Sequence, residues 1–138
     1  MQGIKSFQAF ISAAVQTQAT PKAKIEVYVD AAFAFFENHR QLFSIYELER
    51  SNLARSLNEQ TFSAFCEREI GLLQYLEQLF FEGIKSGEFK KLDPAKMAQM
   101  LFGAIHFTTI RWLHQYENQP LQEEAAFLKK VLLEGVLK

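Results

Sequence analysis

The chain has 138 residues, 49% hydrophobic and 22% charged, a size and balance that fit one globular domain and exclude a disordered one. With 15 Lys and Arg against 16 Asp and Glu, the net charge of -1 removes the electrostatic case for a nucleic-acid or anionic-membrane surface. One cysteine, Cys66, excludes an internal disulfide and any multi-thiolate metal site built from a single chain. The longest apolar run, 31–36, is far short of the roughly 20 residues that cross a bilayer. Met1-Gln2-Gly3-Ile4-Lys5 lacks the regions of a signal peptide, so a cytoplasmic protein is expected, with no membrane partner. Phenylalanine is abundant, 14 of 138, and so many rings call for a thick core, a ligand cavity or a partner surface.

The spacing predicts six helices, over 3–19, 21–38, 39–52, 59–86, 94–117 and 120–136, and no strand. Ile4, Phe7, Ile11, Ala14 and Val15 form a modest stripe on the first. Thr20-Pro21 then reads as an N-cap followed by proline at the first helical position, and the second helix gathers Ile25, Tyr28, Val29, Ala32, Phe33 and Phe36 on one face. The third is short and less regular, with Leu42, Phe43, Ile45, Tyr46 and Leu53. On the fourth, Phe62, Cys66, Ile70, Leu73, Leu76, Phe80 and Ile84 make a long seam, and Gly87 suits a left-handed C-terminal cap. Asp93-Pro94 and Gln119-Pro120 repeat the cap-and-proline pattern before the last two helices.

The helix at 94–117 carries two apolar faces. Ala98, Leu101, Phe102, Ile105, Thr109, Trp112, Leu113 and Tyr116 share one; Met100, Gly103, Phe107, Ile110 and His114 share the other. Over 120–136 the theme is weaker, with Leu121, Ala125, Leu128, Leu132 and Val136 as the main stripe and Ala126, Leu133 and Leu137 as a second. Each Leu or Phe left in water forgoes roughly 1.5–3 kcal/mol of burial, so two such faces point to association. The expected architecture is therefore all-α, a six-helix bundle in one domain over 1–138. Its last two helices form a dimeric four-helix bundle, with Met100, Gly103, Phe107, Ile110, His114, Ala126, Leu133 and Leu137 at the dimer interface.

These residues carry a resemblance. Gly83-Ile84-Lys85-Ser86-Gly87-Glu88-Phe89 precedes Asp93-Pro94, then Ala98 and Gly103-Ala104, with Trp112 beyond; upstream, 34–43 makes a helix, a corner at His39 and a short helix. The order resembles the C-terminal effector-binding and dimerisation domain of TetR-family transcriptional regulators, over nearly the whole chain. The resemblance implies a homodimer through the last two helices and an effector pocket enclosed by the middle ones. It also implies control of DNA through an N-terminal helix-turn-helix, to which nothing here corresponds: Lys5 is the only cation before Lys22. The 138 residues alone are not expected to bind DNA.

No catalytic motif supports an enzyme. None of His39, His106 and His114 has Glu three residues before it, and there is no nucleophile elbow or phosphate-cradling loop. No metal and no cofactor is expected, and Cys66 reads as an inert thiol on an apolar seam. Glu69 and Glu77 lie on or beside that seam, either leaning to its edge or paired with an arginine such as Arg111, or as a polar anchor in an aromatic cavity. The expected ligand-binding residues are Phe33, Phe36, Phe43, Tyr46, Phe62, Phe65, Glu69, Phe80, Phe102, His106 and Thr109, around a small, mostly apolar or amphipathic effector. A stand-alone helical protein–protein interaction module is the alternative from another class.

Overall fold

The computed structural model describes residues 2–55, 59–115 and 119–136, with side chains described at 5–45, 47, 48, 70–114 and 119–136. Among these residues there are six helices and no strand: α1 (Gln2–Val15), α2 (Pro21–Asn38), α3 (Arg40–Arg55), α4 (Glu59–Ser86), α5 (Pro94–Gln115) and α6 (Gln122–Val136). The all-α expectation holds. The central element is α2, which packs against each of the other five helices. Its sequence explains the position, since Ile25, Tyr28, Val29, Ala31, Ala32, Phe33, Phe35 and Phe36 are all buried and form a broad apolar face, with Glu26, Asp30 and Glu37 on the remaining side. In such surroundings burial pushes the Tyr28 phenol far above its usual range, so it stays protonated. The half-buried phenol of Tyr75, whose ring lies 6.3 Å from that of Tyr28, is raised first by burial and then by the charge of Glu82.

Local chemistry sets the ends of the helices. Thr20 is extended, and its hydroxyl accepts from the Ala23 amide at 3.2 Å with Pro21 behind it. A second orphan donor there, the Lys22 amide, reaches the Glu88 carboxylate at 3.4 Å. One residue, His39, makes the α2–α3 corner: its amide donates to the Phe35 carbonyl at 2.9 Å, and its own carbonyl accepts from Phe43 at 3.0 Å. Gly87 ends α4 at φ +87°, and Phe89 N–H turns back to the Gly83 carbonyl at 3.1 Å. Asp93 caps α5 by accepting from Ala95 at 2.9 Å and Lys96 at 3.4 Å.

Four expectations need correction. The first helix stops at Val15 rather than 19, because the amides of Thr17 and Gln18 tighten to carbonyls three residues back and the Thr17 hydroxyl takes the Ala14 carbonyl. The last begins at Gln122 rather than at Pro120: Glu123 and Glu124 bond three residues back, making a tight preliminary turn. On α4, Ile70 is exposed, and the buried seam is centred on Leu72, Leu76, Leu79 and Phe80, the side that meets both α2 and α5. On α6, Leu133 is turned into the protein's own core, and Phe127 and Val131 stand exposed instead.

The two-faced reading of α5 matches its surroundings. Ala98, Leu101, Phe102, Ile105, Thr109 and Trp112 are buried against the bundle. Met100 is 69% and Phe107 65% exposed, so the chain does not cover this face by itself. Gly103 and His114 are exposed beside them and Ile110 is half-buried. Nothing lies within 4 Å of where a Gly103 Cβ would stand.

Candidate functional site

Of the expected ligand residues, the structure gathers four. Phe36 on α2, Phe43 on α3, and Phe102 and His106 on α5 meet at one junction: Phe36–Phe43 centroids lie 4.6 Å apart, His106 lies 6.0 Å from each of these rings, and it stacks on Phe102 at 4.2 Å. The sequence places them there through helical spacing on α5 and through the one-residue corner, which folds Phe43 back over Phe36. His106 is half-buried, and its Nδ1 lies 3.1 Å from the Phe102 carbonyl, which favours the Nδ1–H tautomer. Phe36 also stacks on Phe7 of α1 at 5.0 Å, so the rings run continuously from α1 to α5.

The remaining expected residues are distributed differently. Phe33 is fully buried on α2. Thr109 is also fully buried, and its hydroxyl donates to the Ile105 carbonyl at 2.8 Å, so that proton is committed within its own helix. Phe80 lies apart from the four rings' contacts, packed on Phe89 at 5.7 Å. Tyr46, Phe62, Phe65, Glu69, Cys66 and Leu137 lie outside the described side chains. Glu77 is half-buried.

A second feature escaped the sequence reading. Between α2, α4, α5 and α6 lies an apolar hollow of about 90 Å³, lined by Ile25, Val29, Phe80, Leu92, Met97, Met100, Leu101, Leu128, Lys129, Leu132, Leu133 and Val136. Such a volume is below the roughly 150 Å³ that admits benzene in an engineered apolar cavity, so a ligand must widen it. Met97 and Met100, unbranched and adaptable, are the side chains best able to give way. Lys129 at the wall holds Asp30 of α2, Nζ to Oδ2 at 2.8 Å. The signal in the sequence was the methionine pair on α5 and a lysine next to Leu128 in the main stripe of α6; neither says that the two helices leave space between them.

The α2–α3 corner is also tied to the α5–α6 turn. The Glu37 carboxylate accepts from the Leu121 amide, the Trp112 indole donates to the Gln119 carbonyl at 2.6 Å, and the Arg40 guanidinium lies 5.2 Å from the Trp112 ring centroid. Among the described residues no group of three His, Cys, Asp or Glu is placed to hold a metal ion, and no helix is long and apolar enough to cross a membrane.

Against this geometry, the TetR regulator family described as "YsiA-like protein, C-terminal region" matches residues 2–135. The chain belongs to that family. A TetR-type relative is the "Fatty acid metabolism regulator protein" of Bacillus subtilis (strain 168), 27% identical over 123 residues, 88% of this chain and 61% of that protein. The chain thus spans about three-fifths of the length of this relative. The solved transcriptional regulator FadR from Bacillus subtilis, in complex with stearoyl-CoA, is 26% identical with a TM-score of 0.81, covering 96% of this chain and 72% of that one. The ketosteroid transcriptional regulator KstR2 of Mycobacterium tuberculosis shares the TetR fold, at 20% identity and a TM-score of 0.83 over 99% of this chain and 68% of its own.

Proposed function

We propose that residues 1–138 are the sensing and dimerisation domain of a TetR-type transcription regulator whose effector carries a long acyl chain. The domain is not an enzyme in this reading; it works by binding. The observation that carries it is the hollow, eleven of whose twelve lining residues are apolar. The family membership and the stearoyl-CoA held by a 26% identical regulator support the choice of an acyl chain.

The hollow and the ring cluster are neighbours along α2 and α5. Val29 lines the hollow, Phe33 is one turn further along α2, and Phe36 enters the ring cluster, about 10 Å from Val29 at 1.5 Å per residue. On α5, Leu101 lines the hollow and its neighbour Phe102 stacks on His106. An acyl tail held in the hollow beside Met97 and Met100 extends towards Phe33 and parts the rings of Phe36, Phe43, Phe102 and His106. Displacement of those rings moves the α2–α3 corner, and through Glu37 and Trp112 the turn that leads into α6. Control of DNA runs through a helix-turn-helix outside these 138 residues, by coupling between separate sites.

The test is binding of stearoyl-CoA to the 138-residue chain. A ligand of the native state alone raises the melting temperature with concentration, by about 2.7 kcal/mol of added stability at one hundred times Kd. A saturable rise, with a change in Trp112 emission, is the expected result. No change with stearoyl-CoA, shorter acyl-CoA compounds or free fatty acids at solubility-limited concentration removes the acyl reading.

A further inference from the structure

Among the described residues, the one charged side chain lining the hollow is Lys129. Its stem lies with Leu128, Leu132 and Leu133 at the apolar wall, while its ammonium holds the Asp30 carboxylate with Nζ to both oxygens at 2.8 Å. The two partners differ in exposure: the Lys129 side chain is 24% exposed and Asp30 45%. Asp30 can therefore turn to water cheaply, whereas Lys129 would be left beside apolar surface with its charge poorly solvated.

We propose that the hollow takes an aliphatic carboxylate, whose head group replaces Asp30 on Lys129 while its tail lies between Met97, Met100 and Leu132. The inference rests on the acyl-chain reading above and deepens it by naming the head group, a free acid rather than a thioester. Asp30 itself argues for a carboxylate, because that group already occupies the position with both oxygens in reach. Exchange of one carboxylate for another keeps Lys129 paired while Asp30 turns to water, so transfer of the tail out of water drives the exchange.

The test titrates octanoate and 1-octanol, which share a tail and differ in head group, into the 138-residue chain at pH 7 by calorimetry. Octanoate is expected to bind more tightly than 1-octanol. Lys129→Met should weaken octanoate about tenfold, the scale of one charge-assisted hydrogen bond, and leave 1-octanol within about twofold. Lys129→Arg should retain octanoate binding, which separates loss of charge from loss of fold. Asp30→Asn, by removing the resident competitor, should strengthen octanoate severalfold. Equal affinities for the two compounds, no binding of either, equal losses in Lys129→Met, or weaker octanoate binding in Asp30→Asn overturns the inference. Should stearoyl-CoA still stabilise the chain in that event, the sensing reading stands and only the head-group assignment falls.

Discussion

Gly83 and Phe89 show how much of the fold hangs on single atoms. A Cβ at Gly83 would run into the Phe89 ring, and Phe89 is buried against Phe80 because that hydrogen-only surface lets it in. Gly87, at positive φ, supplies the reversal that brings Phe89 back, and Glu88 between them reaches the amide of Lys22. Each residue of the Gly83…Gly87-Glu88-Phe89 motif thus has a separate task. Gly83→Ala is expected to destabilise the protein by about 1–3 kcal/mol, the usual range for overpacking. In a Phe89→Ala background the same change should cost much less, because the clashing ring is gone. Urea denaturation of the four proteins measures the coupling; purely additive effects would mean that the Phe89 ring accommodates the methyl group.

At the scale of helices, α6 is held at its start by a residue of α2. Leu121 donates to Glu37, and the neighbouring Gln119 carbonyl takes the Trp112 indole proton, so α2, α5 and α6 converge on one turn. A carboxylate at a helix start satisfies an orphan amide and opposes the positive end of the helix dipole. Glu37→Gln keeps an acceptor but removes the charge, and about 0.5–1 kcal/mol of stability should be lost; Glu37→Ala removes both, and about 1–2 kcal/mol should go. Trp112 emission should shift in the alanine variant as the turn loosens. Indistinguishable stability of the two variants would assign the effect to something other than the cap and its charge.

For the whole molecule, the unanswered surface is the outer side of α5 and α6. Met100, Phe107, Phe127 and Val131 are all more than half exposed, a costly arrangement for an isolated chain. In the proposed dimer a second copy covers them. Phe107→Glu should then raise the dimer Kd about thirtyfold or more, the effect of losing a hot-spot residue worth at least 2 kcal/mol. The protomer fold should be little affected, because exposed positions tolerate substitution within about 0.5 kcal/mol. Sedimentation equilibrium gives both answers. A wild-type chain that stays monomeric at several hundred micromolar, or a variant that dimerises as before, excludes this face as the interface.

The starts of α2 and α5, the end of α4 and the two faces of α5 were legible because the interactions behind them are short in sequence. Thr20 caps an amide three residues on, Asp93 amides two and three residues on, and Gly87 closes its own turn. The ring cluster was legible in part: the spacing of Phe102 and His106 put them on one face, but no pattern in the chain states that Phe80 belongs elsewhere. Of the second stripe of α6, Ala126 is exposed but Leu133 is not, because Leu133 and Phe127 are both apolar, and only the docking of α6 on α2 sets which one turns inward. The contacts that tie the bundle together and furnish the hollow span 66 residues from Lys22 to Glu88, 84 from Glu37 to Leu121, and 99 from Asp30 to Lys129. Local propensity and periodicity determine which residues are helical and which faces are apolar. Which faces meet, and where they leave space between them, depends on packing between distant segments, and only the tertiary structure decides it.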